Sequence, residues 1–159
     1  MSFLKAFTVA ASLVAGSAQA SPEFWQFEWP NTDFENSSVA SWTEVISGGP
    51  AKDGIRAVDD PQFFEIEMVE GFDAREPVIT VAVDGHRARA YPIRYLMWHE
   101  IVNDKIGDIP VAVTYCPLCN SGITFDRNVG GQELVFGVSG KLRNSDMIMF
   151  DRQTESWWQ

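Results

Sequence analysis

The sequence predicts a β-rich α+β domain, with antiparallel hairpins in a meander packed against one main helix at about 92–104. Three observations carry this reading. Asp84-Gly85 and Gly130-Gly131 are hairpin turns flanked by residues that alternate between apolar and polar. Met147 to Phe150 is a short, fully apolar run of strand length. Between these stretches, Ile93, Leu96, Met97 and Ile101 fall at helical spacing behind Pro92, which suits a first helical turn.

Taken in order, residues 1–20 read as a signal peptide. Lys5 supplies the positive charge, Ala6 to Ala15 is an apolar run too short to cross a bilayer, and Ala18-Gln19-Ala20 fits the small-x-small cleavage pattern. Export, to a periplasm or to the outside of the cell, is the expectation. No later stretch is long and apolar enough to span a membrane. Losing Lys5 takes the formal charge from −10 to −11, which argues against nucleic acid as a partner. A small molecule, a metal or an envelope protein is left open as the partner.

Residues 21–46 form an aromatic-rich arm carrying Phe24, Trp25, Phe27, Trp29 and Phe34, interrupted by Pro22 and Pro30. The expectation is that these rings pack onto the single β-rich domain of residues 47–159. Ser47 to Pro50 and Lys52 to Gly54 are turn chemistry, and Asp60-Pro61 resembles a brief helix start. In the first hairpin, a two-residue turn at Asp84-Gly85 pairs Val83 with His86, Val81 with Ala88 and Ile79 with Ala90. From Pro110 on, Val111, Val113 and Tyr115 alternate with Ala112, Thr114 and Cys116. A turn at Gly130-Gly131 pairs Phe125 with Phe136 and Ile123 with Val138, and Ser139-Gly140 permits a further reversal.

Chemistry concentrates at Cys116-Pro117-Leu118-Cys119, which holds both cysteines. Two residues between cysteines suit three chemistries. One is metal ligation: the turn points both sulfurs at one ion, copper or zinc, with His99 as third ligand. Met147 and Met149 are soft donors for Cu(I), and Glu100, Asn144 and Asp146 are polar neighbours. The second is thiol–disulfide exchange, with Cys116 or Cys119 as the catalytic nucleophile. The third, covalent haem attachment, needs histidine after the second cysteine, where Asn120 stands, and is excluded; no nucleotide motif occurs either. Beside these stands a non-enzymatic binding or structural module with a passive disulfide. Trp98 to Asn103 approaches the H-E-x-x-H zinc pattern, but Asn103 replaces the second histidine and breaks it. Metal handling is the leading expectation, with exchange and the passive module as alternatives.

Several strings resemble one family. They are Asn31 to Phe34, Ser47 to Ile55, Trp98 to Asp104, Thr114 to Cys119, Phe136 to Gly140, Asn144 to Met147 and Asp151 to Ser156. Together they resemble the domain-of-unknown-function family 3179. The resemblance implies an exported protein and a chain that continues beyond residue 159, so that the present sequence covers the N-terminal part of the family's length. It implies no particular reaction. Where the family often has Gly after the second cysteine, this sequence has Asn120, which tolerates a left-handed backbone.

Overall fold

A computed structural model describes residues 21–159. The signal-peptide reading of residues 1–20 lies outside the described residues. After a single helical turn, α1 (Pro22–Trp25), come β1 (Val45–Ser47), β2 (Val78–Val81), β3 (Arg89–Pro92) and the main helix α2 (Ile93–His99). Strands β4 (Ile101–Ile106), β5 (Ile109–Cys116), β6 (Ser121–Asp126), β7 (Asn128–Val129) and β8 (Gln132–Glu133) follow. The chain closes with β9 (Phe136–Arg143), β10 (Asp146–Asp151) and β11 (Trp157–Trp158). The fold is α+β and β-rich, with antiparallel sheets in the orders β1-β9-β10-β11, β4-β5-β6, β2-β3 and β7-β8.

The alternation in β5 explains the layering. Ala112 and Cys116 face the β9–β10 sheet, where they pack with Ile101, Phe136, Val138, Met147 and Met149. Val111 and Val113 point the other way and pack with Val102, Ile106, Tyr91 and Leu96. The β4–β5 pair is therefore buried on both faces; β5 is almost continuously apolar as such a strand requires, whereas β4 carries Asn103 and Asp104 buried at its centre. A third cluster sets Trp29, Phe34 and Phe150 against Trp25, Trp42 and Trp157. In it Trp29 meets Phe150 edge-on, with ring centroids 4.9 Å apart. Phe24 and Phe27 of the same arm stay exposed.

Several expectations need correction. The helix expected at about 92–104 ends at His99, because Glu100 adopts φ +58° and ψ −34° and turns the chain out of the helix. Ile101 to Ile106 then pair with β5, from Ile101 opposite Thr114 to Ile106 opposite Ile109. Two β-branched residues, Ile101 and Val102, after a backbone break favour a strand over about one further turn of helix. The buried anchor of α2 is Leu96, while Met97 is exposed. No helix starts at Pro61; the nearest helical turn is a 3-10 turn at Ile66–Met68.

The first hairpin exists, but its register is shifted by one: Ile79 lies opposite Tyr91 and Val81 opposite Arg89. Gly85 has positive φ and Asp84 does not, so the turn is not type I′. The Gly130-Gly131 turn pairs Val129 with Gln132 and Asn128 with Glu133 as expected. Beyond that the strands part. Phe125 stays opposite Ala112 of β5, whereas Phe136 joins β10 opposite Asp151. Ser139-Gly140 makes no reversal; it forms a bulge, and the pairing slips between Ile148 and Met149. The reversal falls at Asn144-Ser145, both at positive φ, which is the type I′ pattern.

Candidate functional site

Cys116 ends β5 and Cys119 lies three residues on, in the four-residue loop to β6, where Cys116 sits opposite Ser121. The Cys119 amide donates to the Cys116 carbonyl at 3.2 Å, closing a tight turn. Asn120 takes φ +51°, the conformation for which Asn substitutes for Gly. Its side-chain oxygen accepts a 2.9 Å hydrogen bond from the Tyr115 hydroxyl, which holds the loop against its own strand. Gly122 has ordinary φ; it is needed because the Ile79 side chain comes so close that a Cβ there would lie 2.9 Å from Ile79 Cδ1.

The two cysteines form a disulfide, with Cα atoms 5.2 Å apart. This overturns the expected copper or zinc centre, because sulfurs joined to each other are not free thiolate ligands. Among the described residues, no group of three or more His, Cys, Asp and Glu side chains is placed to hold a metal. The other expected ligands lie as follows. His99 Nδ1 is 2.8 Å from the Arg56 carbonyl oxygen, pinning the ring to the loop before β2. Met147 and Met149 are buried core side chains between the sheets.

The disulfide lies at one end of the layer between the two larger sheets, beside a cavity of about 230 Å³. Cys116, Leu118, Glu100, Met97, Met147 and Lys141 are among the residues on its wall. Cys116 itself is 2% exposed, Cys119 is half-buried, and Leu118 between them is 71% exposed. The lip is apolar, since Met97 and Leu118 both stand open to solvent.

Two ionisable side chains share that wall with the cysteine. Glu100 is brought there by its unusual backbone: its amide caps α2 by donating to the Leu96 carbonyl at 2.8 Å, and its own carbonyl accepts from the Tyr115 amide at 2.8 Å. Burial pushes its carboxyl above the ordinary carboxylate value, with desolvation as the sole cause. Lys141 comes from β9 next to the Gly140 bulge; its amino group is 3.9 Å from the Glu28 carboxylate. Nothing in the sequence patterning marked Lys141, whose place depends on a bulge that spacing does not reveal.

The remaining expected neighbours divide. Asp146 accepts from Ser121 Oγ at 3.0 Å and from the Met147 amide at 2.8 Å, tying the β10 start to the residue opposite Cys116. Asn144 is exposed in the β9–β10 turn and stands apart from the cavity wall. Asn103, which breaks the zinc-protease pattern, has a structural task. Its side chain donates to the Phe136 carbonyl at 2.8 Å and accepts from the Phe136 amide at 3.0 Å, stitching β4 to β9. A further donation to Asp59, also at 2.8 Å, extends the stitch to the loop after β1.

Comparisons with known proteins add one match. No curated protein and no solved structure matches the chain. A family model described as "Protein of unknown function (DUF3179)" matches residues 52–159, which includes α2, the disulfide and all of the cavity's charged groups, and the chain belongs to that family.

Proposed function

We propose that the chain is an exported thiol–disulfide exchange protein in which Cys116–Cys119 is the reactive pair. The observation that carries the reading is a disulfide that closes a three-residue step, with Cys116 on the wall of an open, apolar-lipped cavity and Cys119 half-buried beside it. Such a short loop gives a disulfide little chain entropy to remove, so structural stabilisation is a weak reason for it to be there. An exported location is the compartment in which the pair would cycle.

The more accessible sulfur decides the direction of attack. A substrate thiolate attacks Cys119 Sγ; the Cys119–Cys116 bond breaks and its electron pair goes to Cys116 Sγ. The second thiolate of the substrate then attacks the substrate sulfur of the mixed disulfide and releases Cys119. A substrate dithiol is thereby oxidised to a disulfide while the pair is reduced. A polypeptide disulfide of higher potential returns the pair to its oxidised form by the reverse steps. Exposed Met97 and Leu118 suit a substrate whose cysteines are flanked by apolar residues.

One observation favours a second reading, a binding module with a passive disulfide: Cys116 packs among Ile101, Ala112, Phe136 and Met147 as an ordinary core residue. The two readings separate in the single-cysteine variants. Under exchange, Cys116→Ser leaves a half-buried Cys119 that forms a mixed disulfide with oxidised glutathione in the native protein, seen as a mass increase, and does so faster than Cys119→Ser. Absence of any mixed disulfide from folded Cys116→Ser favours the passive module.

A further inference from the structure

Glu100 is the least conventional residue on the cavity wall. It is neither Gly nor Asn, yet it holds φ +58°, a conformation that costs an ordinary residue on the order of 1–3 kcal/mol. Glu100 lines the same cavity as Cys116, and its carbonyl accepts at 2.8 Å from the amide of Tyr115, the residue before Cys116. Among the described residues its carboxyl has no hydrogen bond and no ion pair, and solvent is partly excluded from it. A carboxyl held in a strained, partly dry place with no structural partner is free to act on a proton.

We infer that Glu100 is the acid–base group for Cys116 Sγ, giving it a proton when the disulfide opens and removing that proton when it closes. The inference rests on the exchange reading. On opening, the electron pair of the S–S bond goes to Cys116 Sγ, and the proton of the Glu100 carboxyl follows it, leaving a carboxylate. On closing, the carboxylate takes the thiol proton, and the Cys116 thiolate attacks the Cys119 sulfur of the mixed disulfide. The partner released is the substrate thiolate. Cys116 needs such help because it is nearly sealed from water, which supplies protons to exposed cysteines directly.

The surroundings leave this pair well defined. From β9, Lys141 is the other charged group on the wall, and it is paired with Glu28. His99, next to Glu100 in sequence, turns to the Arg56 carbonyl. The loop after β1 and strand β10 contribute Pro50, Ile55 and Met147, none of which titrates.

The test uses the full chain with Cys119→Ser, so that Cys116 is a single free thiol, labelled with 13C at Cβ and titrated by NMR. A Glu100 carboxylate disfavours a neighbouring thiolate, so Cys116 should titrate about one pH unit higher with Glu100 than with Glu100→Gln, a tenfold difference in thiolate at a given pH. Superimposable titrations overturn the inference. Glu100→Gln keeps the size and shape of the side chain, and the dispersion of the same NMR spectra establishes that it is folded. Separated titrations in a protein that exchanges with neither glutathione nor a peptide dithiol would leave the Glu100–Cys116 coupling standing and overturn the exchange reading instead.

Discussion

Glu100 shows how one residue sets the site. Its positive φ ends α2 and starts β4, and the residue lines the same cavity as Cys116. Glu is a good helix former, so nothing in its identity announces a helix end. By contrast Asn120, also at positive φ, could be read from the sequence, because Asn is a residue type that accepts this conformation. The cysteine pair is equally legible as chemistry, but spacing alone leaves open whether it holds a metal or closes on itself, and it leaves open too the direction of His99. Its ring turned to the Arg56 carbonyl, a partner 43 positions away that no local pattern discloses. A prediction belongs at this scale. Glu100→Gly removes both the backbone strain and a carboxyl that burial disfavours, and loses part of that gain to the flexibility of Gly when unfolded. The net expectation is a stabilisation of about 1 kcal/mol in urea unfolding, with loss of proton transfer to Cys116. A less stable Glu100→Gly protein would mean that the conformation of Glu100 is not a cost borne for its position.

Elements were legible where periodicity and burial agreed. The alternation of β5 and the apolar run of β10 both met this condition, because each strand faces a packed core. Registers were less accessible. An Asp-Gly turn is compatible with more than one turn type, and although the turn closes between Val83 and His86, every pair of β2–β3 is moved by one residue. The Gly130-Gly131 turn forms at the expected tip, but Arg127 lies outside the hairpin and is buried. Its guanidinium donates to the carbonyl oxygens of Val111 at 3.0 Å and Asp104 at 2.9 Å, which directs the chain from one sheet into the other. The Gly140 bulge shows the same limit. With φ +71° and the Pro50 carbonyl oxygen filling the place of a side chain, this position admits only Gly. Gly140→Ala should therefore cost about 3 kcal/mol or more in equilibrium unfolding and displace Lys141 from the cavity wall. A loss within about 0.5 kcal/mol, the range of ordinary surface substitutions, would show that the bulge is not the constraint described.

At the scale of the whole molecule, the β4–β5 pair is the shared wall of two hydrophobic layers, and Cys116 lies where one of those layers opens to solvent. The aromatic cluster of Trp25, Trp29, Phe34, Trp42, Phe150 and Trp157 fastens the N-terminal arm and β11 to the far side of the β9–β10 sheet. The cysteine turn is thus held at both ends: β5 anchors Cys116 on one side, and the Ser121–Asp146 hydrogen bond anchors the start of β6 on the other. Such anchoring suits a pair that opens and closes without rearranging the fold, which is what exchange demands. The most direct check is a redox titration of the native chain in glutathione buffers, with the thiols trapped by alkylation and counted by mass. The pair should come to equilibrium with glutathione and be half-reduced at a potential above about −300 mV, with the fold unchanged on reduction. A pair that stays closed in buffers more reducing than that, or that opens only as the protein unfolds, would contradict the exchange reading.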